Sequence, residues 1–193
     1  NGDSMAVHTD KQGNWTPERE ALHARLIADV IGKASAGHDD PKAIFMGGLP
    51  GSGKSTATKN VDTKDYVHLN ADEFKEALLK HDGLKMNMAA YAHEESSYLV
   101  GRAQKAALAA RQHVLIDATM KTAGAMDDGG AIGAVRDLKK AGYSVDVQFV
   151  DTTPELAAQA VVKRFVHGQV GGPRGPADPN GGRFVPPRFV RGQ

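Results

Sequence analysis

The chain has 193 residues, enough to bury a sizeable core in one domain. Its 40% hydrophobic and 24% charged composition is that of an ordinary globular protein, and a net charge of +1 gives no whole-chain case for a nucleic-acid or membrane partner. There is no cysteine, which excludes disulfides, thiol catalysis and thiolate metal sites; no apolar run approaches the ~20 residues of a membrane span, and a cytoplasmic location is expected.

Residues 1–15 are polar and are expected as a flexible arm ahead of one domain over 16–193. Thr16-Pro17 reads as an N-cap followed by a first-turn proline. Leu22, Leu26 and Val30 recur at helical spacing, so a helix is predicted over Pro17–Lys33. Ala43–Met46 is a short apolar run of the kind that forms a buried strand. It leads into a glycine-rich loop in which Gly48, Gly53, Lys54 and Ser55 satisfy G-x-x-x-x-G-K-[ST]. Strand, loop and following helix are the context this pattern requires. Gly48, Pro50, Gly51, Ser52, Gly53, Lys54, Ser55 and Thr56 are therefore the candidate ATP-binding residues. In such a loop the backbone N–H groups face the phosphate oxygens, and the helix N-terminus adds its positive dipole end. Lys54 reaches the β- and γ-phosphates, and the Ser55 hydroxyl ligates Mg²⁺.

Tyr66–Asn70 reads as a second strand and Asp72–His81 as the next helix. Asp72 stands where a ligand binds beyond the carboxyl end of a strand in a parallel sheet. It has two readings: an acid that complements the helix dipole, or a base that takes a proton from an acceptor hydroxyl. A long helix is predicted over Asn87–Arg111, with Met88, Tyr91, Glu95, Leu99 and Arg102 on one face. Glu95 pairs with Arg102, belongs to the solvated margin of the stripe or, with Glu94 beside it, lines an acceptor pocket. His113–Asp117 is a third strand, and Asp117 at its end is placed to support Mg²⁺. Thr119 and Lys121 follow, within reach of phosphate or substrate. A helix over Ala134–Ala141, a strand over Ser144–Asp151 and a helix from Pro154 to about His167 complete the alternation. From Gly168 the composition turns to glycine, proline and arginine; residues 168–193 read as a disordered tail or as an arginine-bearing lid over ATP, with Arg164 in the same cluster. The pattern predicts a three-layer α/β P-loop NTPase or kinase fold with a mostly parallel sheet and an N-terminal helix, and leaves residues 168–193 as tail or arginine-bearing lid.

PGSGKST, NADEFK at Asn70–Lys75, HEESS at His93–Ser97 and IDAT at Ile116–Thr119 together resemble the zeta-toxin family of small-molecule kinases. KRF at Lys163–Phe165 and GGRFVP at Gly181–Pro186 extend the likeness. The resemblance implies phosphorylation of a small-molecule hydroxyl with ATP and Mg²⁺, in the best-known members the 3′-hydroxyl of UDP-N-acetylglucosamine, to the detriment of a bacterial cell wall. It implies Asp72 as the base, Lys54 on the phosphates, Ser55 on the metal and Thr119 at the acceptor or phosphate. Arg164 and Arg183 are then the lid arginines, and Glu95 or Glu94 contacts the acceptor. It also implies a small helical antitoxin as partner. A kinase of another small molecule, such as an antibiotic or an NAD-type cofactor, a polynucleotide 5′-hydroxyl kinase, and an ATP-binding regulator with no acceptor are the other readings.

Overall fold

The computed structural model describes residues 3–49, 52–54, 61–117 and 131–170, apart from the side chains of residues 131, 132, 164, 165 and 167–169. Four parallel strands form the sheet: β1 (Lys42–Gly48), β2 (Tyr66–Leu69), β3 (His113–Asp117) and β4 (Ser144–Val150), in the order β2-β3-β1-β4. Six helices are described: α1 (Ser4–His8), α2 (Pro17–Ile31), α3 (Ala71–His81), α4 (His93–Ala109), α5 (Ala131–Lys140) and α6 (Pro154–Val170).

β1 is central because its side chains leave it no other place. Ala43 through Gly48 are all buried, and β1 pairs with β3 on one side and β4 on the other. Alternation divides its side chains between the two faces of the sheet. Ala43 and Phe45 join Val67, Leu69, Val114 and Ile116 beneath Leu22, Phe74, Leu78 and Leu99 of the helices. Ile44 and Met46 meet Leu115 on the other face. Parallel strands need crossovers, and the chain passes from β1 to the far edge, returns through β3, then crosses to β4. The order therefore reverses between β1 and β3, which opens a crevice at their carboxyl ends.

Local chemistry sets the helix starts. The Thr16 hydroxyl accepts from the Arg19 amide at 3.3 Å, with Pro17 in the first turn. Asn70 Oδ1 accepts from the Asp72 amide at 2.8 Å, so Asn70 is the cap and Asp72 the first-turn acid.

Three elements depart from the sequence reading. Residues 3–15, expected as a flexible arm, carry helix α1 and an antiparallel bridge between Thr9 and Trp15. Ser4 is wholly buried, and its amide donates to the Tyr91 carbonyl at 2.8 Å. The long helix expected from Asn87 begins instead at His93, after a 3₁₀ turn at Met86–Met88. Tyr91, spaced for the helical stripe, lies ahead of the helix, and its carbonyl serves the amino-terminal segment. Third, α6 runs through the composition change at Gly168 to Val170. Among the described residues no helix is long and apolar enough to cross a membrane.

Candidate phosphate-binding site

The crevice between β1 and β3 holds the residues that matter. Met46 pairs with Asp117, so β1 continues two residues past the end of β3, with Gly47 and Gly48 still paired with Phe149 and Val150 of β4. Gly48 has φ 142°, and a Cβ there would sit 2.8 Å from both the Val150 carbonyl oxygen and Ser52 Oγ. Only glycine satisfies this conformation and this close approach together. Gly53 has φ 95° in open space, so its requirement is conformational alone. The Ser52 hydroxyl is buried and has no hydrogen-bond partner among the described residues. An orphaned donor in a glycine-turned loop suits an anionic oxygen.

Lys54 folds its ammonium back over this loop. Its Nζ donates to the Gly48 carbonyl at 2.9 Å and to the Leu49 carbonyl at 3.3 Å, and lies 3.8 Å from Asp117 Oδ1. Burial raises the Asp117 carboxyl above its usual range, and the Lys54 charge pulls partly the other way. Asp117 is still 37% exposed, so its oxygens remain open to a ligand. The cleft here has a volume of about 190 Å³ and is lined by Met46, Lys54, His68, Asn70, Glu73, Leu115 and Asp117.

Asp72 sits on the first turn of α3, 42% exposed, with Lys75 Nζ 3.3 Å from its Oδ1. It is not among the lining residues; its neighbour Glu73 is. Glu73 and His68 are the cleft residues the sequence reading passed over. The signal for both was present: one follows the second strand by a few residues, and the other lies within it.

Glu95 has a different setting from either reading of the sequence. It is fully buried, and both its oxygens are taken. Arg19 Nε donates to Oε1 at 2.6 Å and Nη2 to Oε2 at 2.9 Å, while His23 Nε2 lies 2.6 Å from Oε1. Arg19 also forks onto Asp82, at 2.6 and 2.9 Å. The expected Glu95–Arg102 pair is replaced: Arg102 Nη1 lies 2.6 Å from Glu20 Oε1. Burial acts to raise the Glu95 carboxyl, but the bonds from His23 and Arg19 outweigh it and hold it at about 2. Glu94 is exposed on the first turn of α4. Arg164 lies on α6, its side chain outside the described residues. Pro50, Gly51, Ser55, Thr56, Thr119, Lys121 and Arg183 also lie outside them, as does the expected lid beyond Val170.

A parallel α/β sheet in this order, with the glycine loop and its lysine at the reversal point, defines a P-loop kinase-like fold. Residues 28–193 match the family described as Zeta toxin, and the chain belongs to that family. No curated protein matches it. Among solved structures it is similar to one from the PezAT chromosomal toxin-antitoxin system of Streptococcus pneumoniae, with TM-score 0.61 and 22% identity over 79% of this chain and 64% of that one. It is also similar to the AvrRxo1-ORF1:AvrRxo1-ORF2 complex with sulphate ions, with TM-score 0.65 and 23% identity over 80% of this chain and 52% of that one. The same complex with ATP gives TM-score 0.63 and 21% identity over 86% and 53%. At these identities the likeness is one of fold. The chain spans between 52% and 64% of the lengths of these structures.

Proposed function

We propose that this chain is an ATP-dependent phosphotransferase that moves the γ-phosphoryl group onto a hydroxyl of a small molecule. The observation that carries the reading is the Lys54 ammonium. It rests on the carbonyls of its own glycine loop, 3.8 Å from Asp117, at the mouth of a cleft beyond the carboxyl ends of β1 and β3. Phosphoryl transfer asks little covalent chemistry of a protein; it needs positioned charge and an oriented nucleophile. Lys54 moves from the carbonyls to the β- and γ-phosphate oxygens, and the loop amides and the Ser52 hydroxyl complete the cradle. The carboxylate of Asp117 and the hydroxyl of Ser55 are the hard oxygen donors that suit Mg²⁺, whose charge offsets that of the phosphates.

Asp72 is the proposed base for the acceptor hydroxyl, with Lys75 holding its carboxylate from one side. Thr119 and Glu94 are the proposed acceptor contacts, with Arg164 and Arg183 closing on the phosphoryl group. Glu95 is the other acceptor contact that the family resemblance implies; its Arg19 and His23 partners support a positioning role instead. Membership of the Zeta toxin family supports a nucleotide sugar, UDP-N-acetylglucosamine at its 3′-hydroxyl, as the acceptor, and a protein antitoxin as partner.

Labelled ATP incubated with the protein and a panel of nucleotide sugars, cofactors and oligonucleotides tests this. Transfer of label to a nucleotide sugar is the expected result. Label found only in free phosphate, whatever the acceptor, would overturn the kinase reading.

A further inference from the structure

At the opposite edge of the sheet lies a second cluster with no part in this chemistry. His38 precedes β1, Asp65 precedes β2, and His113 opens β3. One donor atom from each lies within 4.8 Å of the others. The His38 and His113 rings stack with centroids 3.8 Å apart, 16° from parallel. His38 Nε2 is 3.5 Å from Asp65 Oδ2, yet this atom is buried and makes no hydrogen bond among the described residues. A buried ring nitrogen with no partner, aimed near a carboxylate, calls for a third atom between them.

The backbone holds all three residues in place. The His38 amide donates to the Arg111 carbonyl at 3.1 Å, and Arg111 Nε returns a bond to the His38 carbonyl at 2.9 Å. Arg111 itself has φ 49°, which a non-glycine residue keeps only when its surroundings demand it. Asp65 Oδ1 accepts from the Ser35 amide at 2.6 Å, which leaves Oδ2 turned to the histidines. His113 Nδ1 accepts from the Lys42 amide at 2.9 Å. The Asp65 contact orients a ligand and outlasts metal binding, whereas the Lys42 bond to His113 is one that the metal displaces.

We propose that His38, Asp65 and His113 bind a divalent transition metal of the Zn²⁺ type. Two imidazoles and one carboxylate suit Zn²⁺, Co²⁺ or Ni²⁺ and not Mg²⁺ or Ca²⁺, which take oxygen donors. Donor atoms about 2.0–2.1 Å from a tetrahedral zinc stand about 3.3 Å apart, so the 3.5 Å His38–Asp65 pair is already at that spacing, and His113, whose donor atom lies within 4.8 Å of the other two, turns out of the ring stack to aim a nitrogen at the same ion. In the tautomer that accepts the Lys42 N–H, His113 Nε2 carries the ring proton. Ligation through Nε2 moves that proton to Nδ1 and hands the Lys42 amide to water, and Lys42 is exposed at the strand start. The centre is separate from the phosphate site, since His113 and Asp117 stand at opposite ends of β3, about 13 Å apart at the rise of a parallel strand. Its effect is to tie the segments that lead into β1, β2 and β3 at one edge.

The test uses the full chain, stripped of metal with a chelator, and titrated with Zn²⁺ by calorimetry and with Co²⁺ by visible absorption. One equivalent is expected to bind, with low-symmetry cobalt bands and a rise in Tm. His38→Ala and the near-isosteric Asp65→Asn are each expected to weaken binding at least tenfold and to remove the Tm rise, while Asp117→Asn retains both. Circular dichroism confirms that each variant is folded; should His38→Ala misfold, Asp65→Asn decides. No saturable binding, several weak equivalents, or one equivalent that survives Asp65→Asn would overturn the proposal.

Discussion

Asp72 and Glu73 stand side by side on the first turn of α3, yet only Glu73 lines the cleft, and Asp72 is paired with Lys75. Adjacent helix positions point about 100° apart, so one carboxylate cannot substitute for the other. If Asp72 takes the acceptor proton, Asp72→Asn lowers transfer by about 10²–10⁴-fold and leaves ATP affinity unchanged. Initial rates alongside ATP calorimetry check this; an equal fall in ATP affinity would make Asp72 a structural or metal-linked group. Asp117 makes a different prediction. Its carboxyl is raised chiefly by burial, so the folded protein bears a cost for holding it charged. Asp117→Asn is expected to raise Tm and to depress phosphoryl transfer, the exchange of stability for activity that a working site shows. Thermal melts and rates on one preparation measure both, and a fall in Tm would show that the Lys54–Asp117 contact outweighs the burial.

At the scale of elements, what the sequence made legible was what local pattern controls. β1 is a buried apolar run bounded by a glycine loop, Thr16-Pro17 states its own helix start, and Gly142 at φ 80° closes α5 as a left-handed residue should. The place of Asp117 in the cleft was legible because it ends a strand at the carboxyl edge. Illegible parts depend on partners far along the chain. The amino-terminal segment gains its order from Tyr91 and from the Trp15 ring, which meets His23 edge-on at 4.6 Å. The buried face of α2 includes Arg19 and His23 as well as Leu22 and Ile27, and no apolar periodicity finds a buried arginine. Its signal was Glu95 itself, an acid on an apolar stripe in want of a cation. Arg19 then fastens the end of α3, through Asp82, to the start of α4, through Glu95. α1 and most of α2 lie before residue 28, where the family match starts. Deleting residues 1–27 keeps the whole of the matched chain but removes Arg19 from Glu95 and Asp82 and His23 from Glu95. Stranding one buried charge costs about 3–5 kcal/mol, a large part of the usual 5–15 kcal/mol of a whole domain. The truncated protein is expected to lose cooperative unfolding, seen by circular dichroism and calorimetry; an unchanged melt would mean that α3 and α4 hold without α2.

For the molecule as a whole, the same network sets the response to acid. Glu95 titrates at about 2 in the folded chain against an ordinary value of 4.5. A depressed carboxyl gives stability that is complete above the unfolded value and is lost as pH falls through the folded one. The difference of pKa corresponds to about 3 kcal/mol, since one unit is about 1.4 kcal/mol, and Glu95 is fully enclosed, so solvent screening does not dilute it. The expected course is a protein whose unfolding free energy in urea is level near neutrality and falls steeply between pH 4.5 and 2. Glu95→Gln isolates the cause. At neutral pH the variant lacks the charge and is less stable than the parent by several kcal/mol, because Arg19 keeps only Asp82. As pH falls, the parent's own Glu95 takes up a proton and becomes the chemical equal of the glutamine, so the gap between the two closes. Urea titrations of both proteins across that window read the gap directly. A gap that stays constant down to pH 2 would mean that shape and hydrogen bonding, and not the charge of Glu95, hold the amino-terminal helices against the kinase-like sheet.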